Sequence, residues 1–548
     1  MRPKADPPPA ISGPVTSAVR VTAKTPTATH TVSAIPTVPQ SIPIHVPEIT
    51  DATKTPNRMQ SLIVLAIQEA AYNHLFAYQP ESLQLTRLTN GFWDDITPSI
   101  SPDQTQVAFA SNRDSNWNIY LFELKSGNIS QLTDWPGYKA APSWSPDGNF
   151  LVYEAYVEDK LRLVILDVSG NQPPIVLRNQ SEADFSPKWS PLGRQIVFTS
   201  IVAGNRGIWI ADLDKPSHER FSKLIDNPSA AFDNPVWSPD SSQIAYSRFE
   251  NGLHNIYVWD TSGNIRYVGS GDHSVWSPDG SSLLTTLKTP YKSMLTAYSG
   301  ETSILTIPPL LLPGSVSGLT WGNTNLLSPI PTAIQGVAKI TPTPLWQSTV
   351  LVENDSPLVF LDNVEAPDPR LHDMVDESFI ALRQQVVLVA GWDYLANLEN
   401  AYVSVTAPLS PGLGNDWLYT GKAFATSPLP INAGWMVVTR EQFGSDIYWR
   451  IYLRARDQDG SQGMPLKEYP WNFYLRDQGD MGHYEQGGGY MNTIPDGYWV
   501  DFTALAAAYG WNRLPALPTW QASFPAARFN QFMLNQNQDW RTAMLELY

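Results

Sequence analysis

One short phrase recurs along this chain at nearly constant spacing. Its five copies contain Ser-Pro, followed by Asp in four copies and by Leu in the third; the prolines are Pro102, Pro146, Pro191, Pro239 and Pro278. Successive prolines are 44, 45, 48 and 39 residues apart. A fixed period in this range is typical of architectures in which each repeat is one supersecondary unit. The chain is therefore predicted to fold as a series of similar units.

Each repeat has the same internal order of apolar runs and turns. After the Pro-Asp turn comes an alternating apolar run such as residues 107–109, then a polar loop, then a second run such as 118–122. A Ser-Gly turn at 126–127 precedes the last run, 129–132. With the strand that carries the phrase itself, this makes four short strands separated by turn residues. The pattern predicts a four-stranded propeller blade, for which about 40–45 residues is the usual length.

Segments on both sides of the five copies complete the count of blades. Strand-like runs without the phrase precede the first copy, at 62–67, 74–78 and 83–88, and Trp321 lies 45 residues after Trp276. We interpret the Trp321 segment as the innermost strand of the blade whose outer strands are the early runs. The prediction is an all-β six-bladed propeller of four-stranded antiparallel blades, with its ring closed by N- and C-terminal strands so that no open edge remains.

The phrase Trp-Ser-Pro-Asp-Gly, followed by its apolar run and by the Asn-Ile-Tyr runs at 118–120 and 255–257, resembles the TolB-type, WD-like six-bladed propeller. The resemblance covers about residues 59–330. It implies a propeller fold for this region, whereas propellers carry many unrelated activities. The TolB family has a mixed α/β domain before its propeller, and this chain has a Pro/Thr-rich tract there, so binding to TolB's own partners does not follow from the resemblance.

The composition narrows the classes of function. A net charge of −16 disfavours nucleic acid and anionic membranes as partners and favours basic ligands. The chain has no cysteine, which excludes disulfides, thiolate catalysis and Cys-ligated metals. Its eight histidines are scattered, and no H-E-x-x-H motif occurs. We therefore expect no cofactor and no metal site.

Residues 1–57 are rich in Pro, Thr and Ser, which predicts a disordered, extended stalk. No apolar signal-peptide core follows Met1, and no apolar run of 18 residues predicts a transmembrane helix. Two locations stay open: the cell envelope or surface, with a signal or anchor missing from this N-terminus, or the cytoplasm. Because Pro/Thr-rich stalks before propellers are more natural outside the membrane, we prefer the extracytoplasmic location.

The C-terminal third has mixed helical and strand patterns. Strands are predicted at 349–352 and 358–361, within a linker at 341–370 that follows a propeller at 58–340. A helical period extends over 371–389, is interrupted at Gly391, and resumes over 394–402. Residues 435–440 and 447–456 alternate like a hairpin, and helical patterns return at 501–509, 526–534 and 540–547. We predict an α+β domain of unknown function at 371–548.

Catalytic motifs are sparse in this domain. It lacks the G-x-S-x-G nucleophile elbow of α/β-hydrolases. Segments 420–424 and 508–511 resemble zinc-type D-Ala-D-Ala carboxypeptidases, but Leu418 and Ala425 stand where that family has zinc ligands, which implies a non-catalytic, wall-binding descendant. Asp480, His483 and Glu485 precede the glycines at 487–489. They fit either an acid/base or cation site, or a solvated surface loop.

A set of charged residues begins the innermost strands of the predicted blades, four or five positions before the central Trp or Ile of the phrase. These residues are Asp95, Lys139, Asp184, Asp233 and Asp272. Four carboxylates at one end of a channel concentrate negative potential where a ligand would enter. We predict that this channel mouth binds a cation, a basic side chain or a basic peptide. The alternative is that the Asp residues make hydrogen bonds in turns or between blades.

The sequence therefore favours a non-enzymatic module of the bacterial cell envelope or surface that binds proteins, peptides or cell-wall glycan through its propeller. The alternative is a hydrolase of envelope polymers with an unrecognised active site around Asp480, His483 and Glu485. The two differ in the fate of the ligand, because a binding module retains it intact and a hydrolase consumes it.

Overall fold

The computed structural model describes residues 61–80, 84–225, 227, 230–348, 357–409 and 414–548. The predicted stalk at 1–57 and the predicted strand at 349–352 lie outside these residues. Gln60–Tyr548 form one compact unit. Among the helices of the described residues, none has the length and apolar character needed to cross a membrane.

The repeats fold into four-stranded antiparallel sheets, each made of consecutive strands. Sheet A contains β4 (Asp95–Ile100), β5 (Gln106–Ser111), β6 (Asn118–Glu123) and β7 (Ile129–Gln131), and sheet B contains β8 (Lys139–Trp144), β9 (Phe150–Val157), β10 (Lys160–Asp167) and β11 (Ile175–Leu177). Sheet C contains β12 (Ala183–Trp189), β13 (Gln195–Val202), β14 (Asn205–Asp212) and β15 (Phe221–Ile225), and sheet D contains β16 (Ala231–Trp237), β17 (Gln243–Glu250), β18 (Leu253–Asp260) and β19 (Ile265–Ser270). Sheet E contains β20 (Ser274–Trp276), β21 (Ser282–Lys288), β22 (Ser293–Ser299) and β23 (Leu305–Leu311).

Sheet F joins strands from the two ends of this region. Its strands are β1 (Leu62–Glu69), β2 (Tyr72–Gln79), β3 (Gln84–Arg87) and β24 (Val316–Gly322), in the order β24-β1-β2-β3. Trp321 lies opposite Ile63, so the pairing predicted for the Trp321 segment is present. The apolar side chains of neighbouring sheets pack in separate clusters between them, for example Val152, Trp189 and Phe198 between sheets B and C.

The Ser-Pro-Asp phrase forms the turn between the first and second strands of a sheet. In sheet B, Asp147 accepts hydrogen bonds from the Ser145 hydroxyl (2.5 Å) and the Asn149 amide (3.1 Å), while Ser145 Oγ accepts from the Phe150 amide (2.9 Å). The Ser145 hydroxyl and these neighbours lower the pKa of Asp147. Such local side-chain bonds fix a turn without help from the rest of the fold. Sheet C has Leu192 at the equivalent position, where it is 72% exposed.

Replacing Leu192 with Asp is expected to raise the free energy of unfolding by about 0.5–1 kcal/mol, because it restores the turn carboxylate of the other repeats. Thermal unfolding of the variant and the parent measures the change. Leu192→Ala is the matched control, since it removes the exposed apolar side chain without supplying a carboxylate. Equal gains from both variants would contradict the proposed cause.

The region after sheet F mixes short helices with two larger sheets. Its α-helices are α1 (Thr332–Ala338), α2 (Asp376–Ala390), α3 (Met481–Gln486), α4 (Phe502–Ala508) and α5 (Trp540–Met544). Its strands are β25 (Leu358–Phe360), β26 (Arg370–His372), β27 (Leu398–Asn400), β28 (Ala423–Thr426), β29 (Met436–Phe443), β30 (Asp446–Arg454), β31 (Trp471–Asn472), β32 (Gly489–Tyr490), β33 (Trp499–Asp501), β34 (Asn512–Arg513) and β35 (Gln531–Met533). Short 3₁₀ helices lie at Tyr394–Ala396, Trp417–Thr420, Leu429–Ile431, Phe473–Asp477 and Phe524–Ala527.

These strands form the pair β25-β26, a four-stranded sheet in the order β27-β28-β35-β34 and a five-stranded sheet in the order β32-β31-β29-β30-β33. The predicted hairpin is present as β29 and β30, which face each other along their whole length. The predicted helix over 371–389 is confirmed in its main part as α2, and Gly391 ends it in the left-handed conformation (φ 79°) that glycine adopts without strain.

Two helical predictions in this region are wrong. Residues 394–402 contain one 3₁₀ turn followed by β27. Residues 526–534 contain the end of another 3₁₀ turn, which stops at Arg528 with φ 50°, and then β35. Both strands pair with β28, so contacts distant in sequence decide their conformation. This region has its own apolar core, which includes Phe379, Phe424, Trp449, Trp511 and Phe532.

Candidate functional site

The mouth is defined here as the end of sheets A–F at which their first strands, β4, β8, β12, β16, β20 and β24, begin. Because the strands are antiparallel, the loops between second and third strands lie at the same end. The five charged residues predicted for the channel mouth all lie within two residues of these strand starts. The structure shows what each side chain contacts there.

Asp95, Lys139 and Asp184 are buried at the starts of β4, β8 and β12. Asp95 accepts from Arg113 (2.8 Å), and Asp184 accepts from the hydroxyls of Ser181 and Ser200 (both 2.6 Å). Lys139 donates to backbone carbonyls, including that of Gly137 (3.2 Å) and that of Trp135. Burial lowers the pKa of Lys139 to about 8. These three buried side chains therefore stabilise the starts of their strands through hydrogen bonds and an ion pair within the protein.

Asp233, in β16, and Asp272, two residues before β20, have a different position relative to the phrase. They precede the phrase Trp by four residues, whereas Asp184 precedes its Trp by five, and side chains of successive residues point to opposite faces. Asp233 is partly exposed and accepts from Arg206. Asp272 lies between His254 and His273, with Nδ1–carboxylate distances of 3.7 and 3.5 Å. Burial alone would raise the pKa of Asp272, but the two histidines hold it well below its usual range.

A repeated bulge follows Asp95, Lys139, Asp184 and Asp233 and shapes the mouth. Thr97, Ala141, Ser186 and Asn234 all have a positive φ of 48–53°, and each precedes a proline. The strand register shifts at every one of these positions. A bulge re-aims side chains at the end of a strand. A sequence signal for this bulge exists, because each bulged strand has a proline two residues before the Trp or Ile of the phrase. The predicted channel mouth did not include this signal.

The C-terminal region lies against the mouth and contacts sheets A to E. Hydrogen bonds across this boundary join Trp117 Nε1 to the Gly463 carbonyl (3.2 Å), the Gly497 amide to Tyr156 Oη (2.7 Å), the Gly444 amide to the Gly252 carbonyl (2.9 Å) and Tyr291 Oη to the Arg513 carbonyl (3.1 Å). Ala455 and Tyr498 complete an apolar cluster with residues of sheets A to C, among them Ala155 and Phe185. The mouth is thus covered in part by the C-terminal region of the same chain.

The central contact of this boundary is a buried carboxylate in β9. Glu154 is fully buried and accepts from Tyr138 Oη (2.8 Å), the Ser186 amide (2.9 Å) and Lys467 Nζ. The Lys467 ammonium also lies 5.4 Å from the ring centre of Phe185. Two residues later, Tyr469 donates to Glu182, which precedes β12. A basic side chain therefore does enter the mouth, and it belongs to the same chain.

Neither Glu154 nor Lys467 was among the predicted site residues. The two are 313 positions apart, and Glu154 lies in the second strand of its sheet, so no repeat signal marks it. Burial lowers the pKa of the nearby Lys188 to about 8, against the opposing charge of Glu154. Burial and Glu154 together raise the pKa of Tyr138 well above its usual value. The Glu154 carboxylate thus interacts with Tyr138, Lys188 and Lys467, which surround it in this part of the mouth.

Asp480, His483 and Glu485 lie on α3 and the residue before it. Asp480 is the N-cap, accepting from the His483 amide (2.9 Å), and this bond lowers its pKa. His483 Nδ1 lies 3.8 Å from the same carboxylate, and Glu485 is exposed. Within the described residues, no group of three His, Asp or Glu side chains is arranged to hold a metal ion. The contacts that these residues make are those of a helix cap at the surface.

Comparison with known proteins supports the interpretation of the repeats. Residues 83–233 match the family model of the TolB beta propeller domain. Protein TolB homolog of Chlorobaculum tepidum is 28% identical over 150 residues, which are 27% of this chain and 34% of that protein. Tol-Pal system protein TolB of Gluconobacter oxydans is 38% identical over 68 residues, which are 12% of this chain and 15% of that protein.

Among solved structures, that of TolB from Acinetobacter baumannii is similar with a TM-score of 0.43 and 21% identity, over 48% of this chain and 66% of that chain. The matches to the curated TolB homologues span about a third of those proteins or less. The family match falls on the end of sheet F and on sheets A to C. Residues 83–233, which include sheets A to C, are thus similar in sequence to the TolB beta propeller domain.

Proposed function

We propose that this chain is a non-enzymatic protein-interaction module of the bacterial cell envelope, with a closed six-bladed propeller as its binding platform. In this arrangement sheets A–F are the blades, residues 58–340 form the propeller, and residues 371–548 form a second domain joined to it by 341–370. The first strands support closure, because β4, β8, β12, β16, β20 and β24 are neighbours in this order and β24 is again a neighbour of β4.

The observation that carries the proposal is the protein surface bound at the mouth. Glu154 and Glu182 receive Lys467 and Tyr469 from a segment more than 280 residues away in sequence. A face that accepts one protein segment through charge-assisted hydrogen bonds has the chemistry to accept another. Of the five predicted mouth residues, the partly exposed Asp233 and Asp272 are those that a basic partner would contact, while Asp95, Lys139 and Asp184 hold the strand starts.

The envelope location rests on the relatives. The Gluconobacter relative is named for the Tol-Pal system, and the curated homologues share the propeller repeats with this chain. The strongly negative charge fits a basic protein partner.

The test uses the full chain, immobilised and incubated separately with an envelope protein extract and with purified cell wall. We expect retention of an intact protein that the variant Asp233→Asn retains at least about fivefold less well, with no fragments in the soluble fraction. Glu219→Gln, in an exposed pair with His218, is the matched control. Released fragments that disappear with His483→Ala would replace the proposal by the hydrolase, and retention on the wall alone would make glycan the ligand.

A further inference from the structure

The segment that occupies the mouth has the geometry of a bound peptide. Residues 464–470 lie outside regular secondary structure apart from one bridge between Met464 and Trp499. Lys467 and Tyr469 lie on either side of a bend at Glu468, and both side chains reach the propeller, at Glu154 and Glu182.

Glu468, between these two, lies among other charged groups of the same boundary. Its burial and the neighbouring Glu441 raise its pKa, while Arg206 acts in the opposite direction. The segment therefore contacts the propeller through two side chains, the Lys467 ammonium and the Tyr469 hydroxyl. Glu468 separates them in sequence and lies among charged groups instead.

The boundary around this segment joins two regions that each have apolar cores of their own. The C-terminal region packs on its own apolar core, whose members all lie at residue 361 or later. The apolar cluster shared with sheets A to C takes two buried residues from that region, Ala455 and Tyr498. Tyr469, Ile494 and Val500 also pack on this cluster, partly buried, and Tyr291 makes a ring contact with Tyr448. The other contacts include hydrogen bonds and ion pairs, which water replaces at small net cost. Boundaries that mix apolar and polar contacts in this way are typical of domains that move relative to each other.

We propose that residues 466–469 are a built-in ligand of the mouth, so that the C-terminal domain closes the binding platform until a competing partner displaces it. The partner is a peptide or protein that presents a basic side chain two residues before an aromatic hydroxyl. This inference rests on the proposed function in one respect only, namely that the mouth binds a partner; closure by Lys467 and Tyr469 is a property of the chain alone.

Separation of the C-terminal domain from the mouth is measured with a thiol-reactive probe. The chain has no cysteine of its own, so the probe labels only a cysteine that is introduced. Ala455→Cys places a thiol at a boundary position that is 4% exposed, so a maleimide reaches it only when the domains separate. Adding Lys467→Ala and Tyr469→Phe is expected to raise the labelling rate at least about tenfold, because two charge-assisted hydrogen bonds are lost. Restoring the charge with Lys467→Arg should return the rate toward that of the parent. Arg178→Ala, which removes an exposed ion pair of sheet B, is the matched control.

Binding is measured with a synthetic fluorescent peptide of residues 462–471. We expect it to bind the Lys467→Ala, Tyr469→Phe chain at least about tenfold more tightly than the parent, and to lose this gain when Glu154→Gln is added. A peptide with Glu in place of the lysine is the control. Equal labelling rates, or equal peptide binding by parent and variant, would overturn the closure. Failure of the extract to yield a partner, with labelling and peptide binding as expected, would instead contradict only the proposed function.

Discussion

We expect Glu441→Gln to lower the free energy of unfolding at pH 7 by about 3–5 kcal/mol. The Glu441 carboxylate bonds Arg450 Nε (2.8 Å) and the Arg513 guanidinium, and all three side chains are less than 20% exposed. Glutamine keeps the shape but leaves Arg513 without its carboxylate partner and Arg450 with Asp501 alone (2.5 Å). Breaking one member of a buried ionic group is costly because the remaining charges stay out of water.

The loss should depend on pH in a defined direction. Burial alone would raise the pKa of Glu441, but Arg450, Arg513 and Lys288 hold it well below its usual value. A carboxylate with a depressed pKa stabilises the folded state fully above its unfolded pKa of about 4.3, and this contribution is lost as the pH falls toward the folded value. The difference between parent and variant should therefore be largest at neutral pH and shrink below about pH 4.

Denaturant unfolding followed by tryptophan fluorescence, at pH 7 and at pH 3.5, measures both effects. Glu158→Gln is the matched control, because Glu158 pairs with Arg178 at the surface, where an ion pair contributes little to stability. A loss at pH 7 no larger than that of the control would show that Glu441 does not hold the two arginines together.

The repeated region was predictable because its information is local and periodic. The strand starts, the Ser-Pro-Asp turns and the pairing of the Trp321 segment all follow from residues at fixed spacing. The C-terminal region has no period, so its short apolar runs did not separate helix from strand. β35 is the example: a run with helical spacing forms a strand because β28, about a hundred residues earlier, offers it an edge.

The candidate site was predictable in its place but not in its contacts. The period marks where the first strands begin, and five charged residues were found there. It does not reveal that Asp184 and Asp233 lie on opposite faces, since that depends on one residue of register. Nor does it mark Lys467, whose partner Glu154 lies 313 positions away. Contacts between residues so far apart in sequence follow from tertiary packing, which leaves no local sequence pattern.

A second large effect is expected from Glu546→Gln, a loss of about 2–3 kcal/mol in the free energy of unfolding at pH 7. The Lys422 side chain is fully buried, and its ammonium donates to Glu546 and to Gln538 Oε1 (2.6 Å). The neighbouring His372 does not supply a charge there, because burial and Lys422 lower its pKa to about 4. Removing the Glu546 charge leaves the lysine buried without its counter-ion.

The double variant Lys422→Met, Glu546→Gln tests this explanation. Methionine fills the apolar part of the lysine site without a charge, so Glu546→Gln should cost less than about 1 kcal/mol in the Lys422→Met background. Hydrogen exchange adds a local readout, because α5 begins six residues before Glu546 and its amides should exchange faster in the single variant than in the double. An equal cost of Glu546→Gln in both backgrounds would mean that the two side chains are not coupled, and that the residues after α5 are held by other contacts such as the hydrogen bond between the Tyr402 and Tyr548 hydroxyls (2.6 Å).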